Sequence, residues 1–516
     1  MSKRRLRSVL LALLVGASAL PVLAADRPDL RIAVQANSAG QEPAAEVTNA
    51  SMRNHYPIHE MLIKPDIHGD FALQPNLATS WEWTSPTVLE MKLRTDVVFH
   101  DGRTMTADDV VFSFGPERMT GEGAPGNWVS KSYYSSIASV EAVDPSTVRF
   151  TLKTPDPIFL RRLSFIAASI VSKGGWEDVG GNLEVWAQKP IGAGPYKVQS
   201  YQAGDNIVLA AHDQYFGGKP TAETVTIKAV PEVSSRIAGL LAGDYDIVSD
   251  IPPDQMSAIE GQDGFSIVGG PIPNHRILFF DKNHPATKDP RVRQALIVAI
   301  DRQAIVDSIW NGRTNVPNGL QFASYGELYD PDRSAYKYDP ELAKQLLKEA
   351  GYNGEQIELR SQNNYYTAEI PVSQAIVAMW QSVGVNAKLT FVENGAGLFA
   401  TSPDRTAGNL SSSALITDPY LGFWAQLRST GPLGTGSIWT NEKFDALGAQ
   451  LDTVSDPKER KKVYQSMMDI VEWEDPGITV LHQNAVFFGK RDGVNWEPAS
   501  AFNLDIGPQQ LSFEPK

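Results

Sequence analysis

The sequence predicts an α/β protein built from two units, and three observations carry that expectation. The chain has 516 residues, more than one ordinary domain holds. Helical and strand periodicities alternate through its second half. Between the halves, Gly269, Gly270, Pro271 and Pro273 punctuate the chain and are expected to break regular structure. Ile277 to Phe280 then read as a short buried strand. Asp289 before Pro290 is an N-cap followed by a helix-compatible proline, and Val292, Ala295, Leu296, Ala299 and Ile300 recur at helical spacing. One unit ends at this Gly/Pro joint and a second begins.

The first residues are read separately. Lys3, Arg4, Arg5 and Arg7 precede an apolar run from Val9 to Leu20, and Val22-Leu23-Ala24 offers a cleavage site. That order describes a secretory signal peptide over 1–24, and the run is too short for a stable membrane span. The formal charge of -14 includes those four cations and no acid from 1–24, so the remainder carries -18. Such an acidic chain repels nucleic acid and anionic lipid. With no cysteine, disulfides and a lipid-bearing cysteine are both excluded.

Leu30 to Val34 reads as the first strand. His55 and His59 share a helical face, but a metal site lacks a third well-placed ligand. Leu89, Met91 and Leu93 alternate with polar neighbours, as do Val148, Phe150 and Leu152. Asp101-Gly102 makes a turn, and Thr106 with Asp109 three residues on opens a helix. Capping accounts for those carboxylates without acid–base chemistry. Val233, Ile237, Leu240 and Leu241 form a helix stripe ended by Gly243. Asp244, Asp246 and Asp250 faintly suggest calcium, but the loop glycine and terminal glutamate are missing.

In the second unit, Asp339 caps a helix with Pro340 at its start and Gly351 at its end. Ile357 to Leu359 is a strand, Pro371 to Val383 a helix, and Val385 to Phe391 a strand. Asp456-Pro457-Lys458-Glu459 opens a last long helix with capping-box spacing. From about Ala485 the tail reads as β-rich. Ser/His/Asp signatures, a G-x-S-x-G elbow, H-E-x-x-H and a Walker loop are all missing from the sequence, so an enzyme reading has no residue to rest on.

Several stretches carry a resemblance. FALQPNLATSWEW (71–83), LRTDVVFHDGRTMTADDVVFSF (93–114), KPIGAGPYKVQSY (189–201), DQYFGGKP (213–220), Tyr245-Asp246-Ile247 and FFDKNHPATKDPRVRQALIVAIDR (279–302) occur in order. Together they resemble the periplasmic solute-binding proteins of the oligopeptide/dipeptide/nickel class that serve ABC importers. The resemblance implies a two-lobed periplasmic-binding-protein fold with an extra subdomain in the larger lobe. It implies lobe one as residues 25–270 plus 485–516 and lobe two as 271–484. It also implies a monomer free in the periplasm, a peptide or other small solute in the cleft, and permease and ATPase subunits on separate chains. Neither cofactor nor catalysis is expected.

The pocket positions depart from that pattern. Dipeptide binders of this class hold the ligand's ammonium with an Asp four residues before a proline. In SSSALITDPYLGFW (411–424) that position is Leu415, with Asp418 the nearby acid. Where the class carries Arg-x-Tyr, this chain reads Asn363-Asn364-Tyr365. Both charged anchors for a free dipeptide are replaced, which points to a less charged solute such as a modified peptide, opine or oligosaccharide. Asn363, Tyr365, Asp418, Phe423, Trp424 and Trp439 are the expected ligand-binding residues, the aromatics serving as stacking surfaces.

Overall fold

The structure, a computed structural model, describes residues 27–334, 337–363, 365–413 and 416–514. The expected signal peptide, Asn364 and Leu415 lie outside the described residues. Among these residues no helix is long and apolar enough to cross a membrane.

A ten-stranded mixed sheet runs through the molecule. At its middle lie two long antiparallel strands, Phe265–Phe280 and Ile478–Arg491. Phe265 to Pro271 pair with Arg491 to Ala485, and His275 to Phe279 with Gln483 to Ile478. Between these blocks three residues, 272–274, face the single Asn484. The extra residues make a bulge, which bends and twists the ladder at that point.

The Gly/Pro run was expected to interrupt the strand, and here the structure differs. The strand continues through Gly269, Gly270 and Pro271 up to the bulge. Gly269 sits at φ +104, and a Cβ there would lie 2.2 Å from the Val486 carbonyl oxygen, so glycine permits the close approach. Pro271 borders the ladder interruption and Pro273 lies within it, where a missing N–H costs least.

On one side of the bulge, Ile478–Arg491 pairs with Ile247–Val248, followed by Leu30–Val34, Thr224–Ala229, Asn206–Ala211 and Tyr196–Gln202. On the other, Phe265–Phe280 pairs with Arg405–Ser413, followed by Ile357–Gln362 and Ala387–Val392. These are the two lobes. A separate four-stranded antiparallel sheet, Ala78–Ser85, Val88–Leu93, Thr147–Leu152 and Ile137–Asp144, forms the subdomain of the first lobe. Leu89, Met91 and Leu93 face its core, as their alternation predicts.

The expected caps form. Asp289 Oδ1 accepts from the Arg291 amide at 2.8 Å, Asp339 Oδ1 from Leu342 at 2.8 Å, and Asp456 Oδ1 from Glu459 at 2.9 Å. Asp109 accepts from the Thr106 amide at 2.9 Å, so this carboxylate is spent on the helix start. His55 and His59 are buried edge to face, with Nε2 atoms against the carbonyls of Gly40 and Gln41. The largest core packs the four-stranded sheet against the last helices of the second lobe, joining Phe99, Phe150 and Phe159 to Trp439, Phe444 and Tyr464.

Candidate functional site

The bulge between the long strands is also the floor of a cleft. From the first lobe, Thr48 caps the helix Asn49–His55 by accepting from the Ser51 amide at 3.1 Å. Asn49 and Arg53, four apart, share the helix face that lines the cleft. Asp250 follows the strand Ile247–Val248 in a left-handed conformation, φ 57. Arg236 secures that turn from beneath. It donates to the carbonyls of Ser249 at 3.0 Å, Asp250 at 3.1 Å, Val230 at 2.6 Å and Pro231 at 2.8 Å.

The second lobe contributes Asn363, Tyr365, Tyr366 and Thr367, between the strand Ile357–Gln362 and the helix Glu369–Ser382. Glu369 shapes this turn by accepting from the amides of Tyr365 at 3.0 Å and Tyr366 at 3.1 Å. Tyr366 lies under the Arg276 guanidinium at 3.8 Å and hydrogen-bonds the Ser411 hydroxyl at 2.6 Å. The cavity in this cleft measures about 250 Å³ and touches the bulge at Asn484, Ala485 and Val486.

Arg53 pairs with Asp250 across one wall of this cavity. Its Nη2 donates to Asp250 Oδ2 at 3.1 Å and Oδ1 at 3.3 Å, while its buried Nε has no partner. Burial pushes the Asp250 carboxyl up, but Arg53, the Ser249 hydroxyl and Arg236 outweigh it and hold the group below the usual range. Burial drives the Tyr365 phenol well up, with the Arg53 charge pulling the other way.

Two further cavities continue along the bulge. Phe502 is shared with an apolar constriction of about 60 Å³ lined by Met52, Tyr56, Phe165, Ile166, Ile272 and Ile416. Phe71 and Pro273 are shared between that constriction and a third cavity of about 480 Å³. Asn315, Asn318, Gln321, Ser324, His275 and Gln483 line the third.

Of the residues expected in the site, Asn363 and Tyr365 line the cleft cavity. Asp418, Phe423, Trp424 and Trp439, expected in the site, line none of the three cavities. Asp418 is buried against Arg460, with Nη2 to Oδ2 at 2.8 Å, and also accepts from the Tyr420 amide at 3.0 Å. Its oxygens are used inside the second lobe. Phe423, Trp424 and Trp439 each pack on Phe444 in the core. Trp424 donates to Asp452 at 3.0 Å and Trp439 to the Asp475 carbonyl at 2.9 Å. Phe423 and Trp439 meet Phe444 edge to face and Trp424 meets it tilted, because the core buries more of a large ring than a wet cleft does.

Arg53 was not anticipated, and Asp250 was weighed only as a faint calcium ligand. The two lie 197 positions apart, so local pattern holds no trace of their pairing.

Beyond the cavities the lobes touch directly. Arg162, on the first lobe, lies over the Tyr420 ring at 3.8 Å, and the Tyr420 hydroxyl donates to the Ser132 carbonyl at 3.1 Å. Arg161 hydrogen-bonds the Thr417 hydroxyl.

Comparison with known proteins places this architecture. Residues 72–431 match the profile described as bacterial extracellular solute-binding proteins, family 5, middle region. Heme-binding protein A of Haemophilus influenzae is 30% identical over 441 residues, covering 80% of each chain. The dipeptide-binding protein of Escherichia coli is 29% identical over 453 residues, covering 83% of this chain and 84% of that one. A periplasmic binding protein from Helicobacter pylori, solved with the peptide STSA, superposes with a TM-score of 0.82 at 24% identity. That match covers 95% of this chain and 99% of the other, and it shows the shared fold.

Proposed function

The chain belongs to family 5 of the bacterial extracellular solute-binding proteins, and from that premise we propose that it captures a peptide or peptide-like solute between its lobes and delivers it to the permease of an ABC importer. The observation that carries this reading is the cleft cavity at the strand bulge, lined by Arg53 and Asp250 from one side and Asn363 and Tyr365 from the other. A solute that touches both sides binds the closed arrangement better than the open one and shifts the population toward it. The hinge of this reading is the bulge, with lobe one as residues 25–270 plus 485–516 and lobe two as 271–484. Relatives named for dipeptide and glutathione support a peptide-like cargo. The protein acts as a soluble periplasmic monomer after removal of residues 1–24, and it releases its solute unaltered.

A second reading takes a non-peptide solute such as an opine, an oligosaccharide or a metal chelate. The uncharged Asn363 in the cleft favours it, as does a structural neighbour solved with agropinic acid.

Small-angle scattering with pooled di-, tri- and tetrapeptides tests the main reading. A fall in radius of gyration, with recovery of intact peptide, is the expected result. Turnover of a bound peptide that is lost on a single substitution in the cleft overturns it.

A further inference from the structure

The three cavities along the bulge form a row with graded chemistry. The first holds charged side chains, Arg53, Asp250 and Glu232. The constriction is apolar. The third holds amides, hydroxyls and rings, with no aspartate, glutamate, lysine or arginine among its described lining residues. Neighbouring members share Phe502 at one junction and Phe71 with Pro273 at the other, so the three lie side by side along the bulge.

Each end is open to a partner in a different way. Arg53 is 5% exposed and spends only Nη2 on Asp250, leaving Nε buried without a hydrogen bond. A guanidinium carries five donors, and an unsatisfied one in a buried site favours a carboxylate. Asp250 fixes the side chain and balances its charge. At the other end the buried His275 Nδ1 and Ser324 Oγ lack partners. His275 lies flat against Phe322 at 3.9 Å, and burial followed by the neighbouring His482 lowers its pKa to about 3, so the ring is neutral. Asn318 and Gln321 already donate to the chain, Asn318 to the Asp330 carbonyl at 3.0 Å and Gln321 to the same carbonyl at 2.8 Å. That end receives an uncharged hydrogen-bonding group and offers an ammonium no counter-ion.

We propose that the solute is an elongated monoanion: its carboxylate is held at Arg53, its apolar body crosses the constriction, and an uncharged polar end sits beside His275 and Ser324. An N-blocked short peptide acid has this chemistry. The proposal rests on the reading of the cleft as the solute site.

Calorimetry on the mature protein, with matched panels of two- to four-residue peptides, tests it. The panels are N-acetylated acids, free-amine acids and N-acetylated amides. The expected result is tightest binding by the N-acetylated acids. The amides weaken by about tenfold or more, the loss of a charge-assisted contact, and the free amines weaken as well. Arg53→Met erases the preference for acid over amide, and Arg53→Lys restores part of it. Ser324→Trp weakens the four-residue acids more than the two-residue ones. Amides binding as well as acids, a preference for free amines, or an acid preference that survives Arg53→Met overturns the proposal. So does silence from all three panels. The import reading falls on different results, namely turnover of a solute or an unchanged radius of gyration with every solute class.

Discussion

Two arginine–aspartate pairs, one in each lobe, look alike on paper and do opposite work. Arg460 and Asp418 are both buried, and the carboxylate also takes a backbone amide, while Arg460 Nη1 donates to the carbonyls of Leu451 and Val454. Arg53 and Asp250 meet at a similar distance but beside a cavity, with a guanidinium nitrogen unsatisfied and the aspartate backbone left-handed. A closed pair holds a fold together. An open pair, already dehydrated and supported from beneath by Arg236, is poised to take a further partner.

The sharpest way to break the comparison is to remove the carboxylate of the closed pair. Asp418→Ala strands Arg460 in the core and is expected to cost about 3–5 kcal/mol of stability, read as the shift in urea midpoint. Trp439→Ala belongs to the same class, since the ring is fully buried, and is expected to cost about 3–5 kcal/mol with no selective effect on solute preference. Tyr365→Ala, in the cleft, should instead weaken solute binding while moving the midpoint far less. A Trp439 variant that keeps its stability but loses solute would reverse the assignment of these aromatics.

The contact between the lobes sharpens the comparison at a smaller scale. Tyr420→Phe removes the hydroxyl that donates to Ser132 but keeps the ring under Arg162. About 1 kcal/mol is expected from one such hydrogen bond. Scattering should report a larger radius of gyration without solute and an unchanged one at saturation.

The smallest effect is in acid, where the two aspartates carry opposite signs. Asp250 titrates below its ordinary 3.8, so its contribution is present above that pH and is lost as pH falls through the folded value. Burial raises Asp418 even against Arg460, so its contribution falls as pH rises from 3.8 through the folded value. Asp250→Asn should therefore flatten the loss of stability below pH 3.8, measured by urea titration across the acid range. A steeper acid loss in that variant would contradict the assigned direction.

What the sequence by itself determined is local or repetitive. Asp289, Asp339 and Asp456 announce their helices because a cap acts within three residues. Gly243 ends its helix for the same reason, and the alternation of Leu89, Met91 and Leu93 reports the pleat of one strand. The motifs from Phe71 to Arg302 added the family, and with it the two lobes. Gly269, Gly270, Pro271 and Pro273 mark an irregularity that was legible in the sequence, although its form was not: a strand passes through them, and glycine at 269 permits the close approach to Val486. Only the tertiary structure decided which rings line the cleft and which are buried in the core. Tyr365 and Trp439 are both aromatic residues, and their difference is which elements close over them. It also decided that Arg53 meets Asp250 across 197 positions of chain. Charge pairing at that separation depends on where the folded backbone brings the side chains, and burial then sets how strongly they interact.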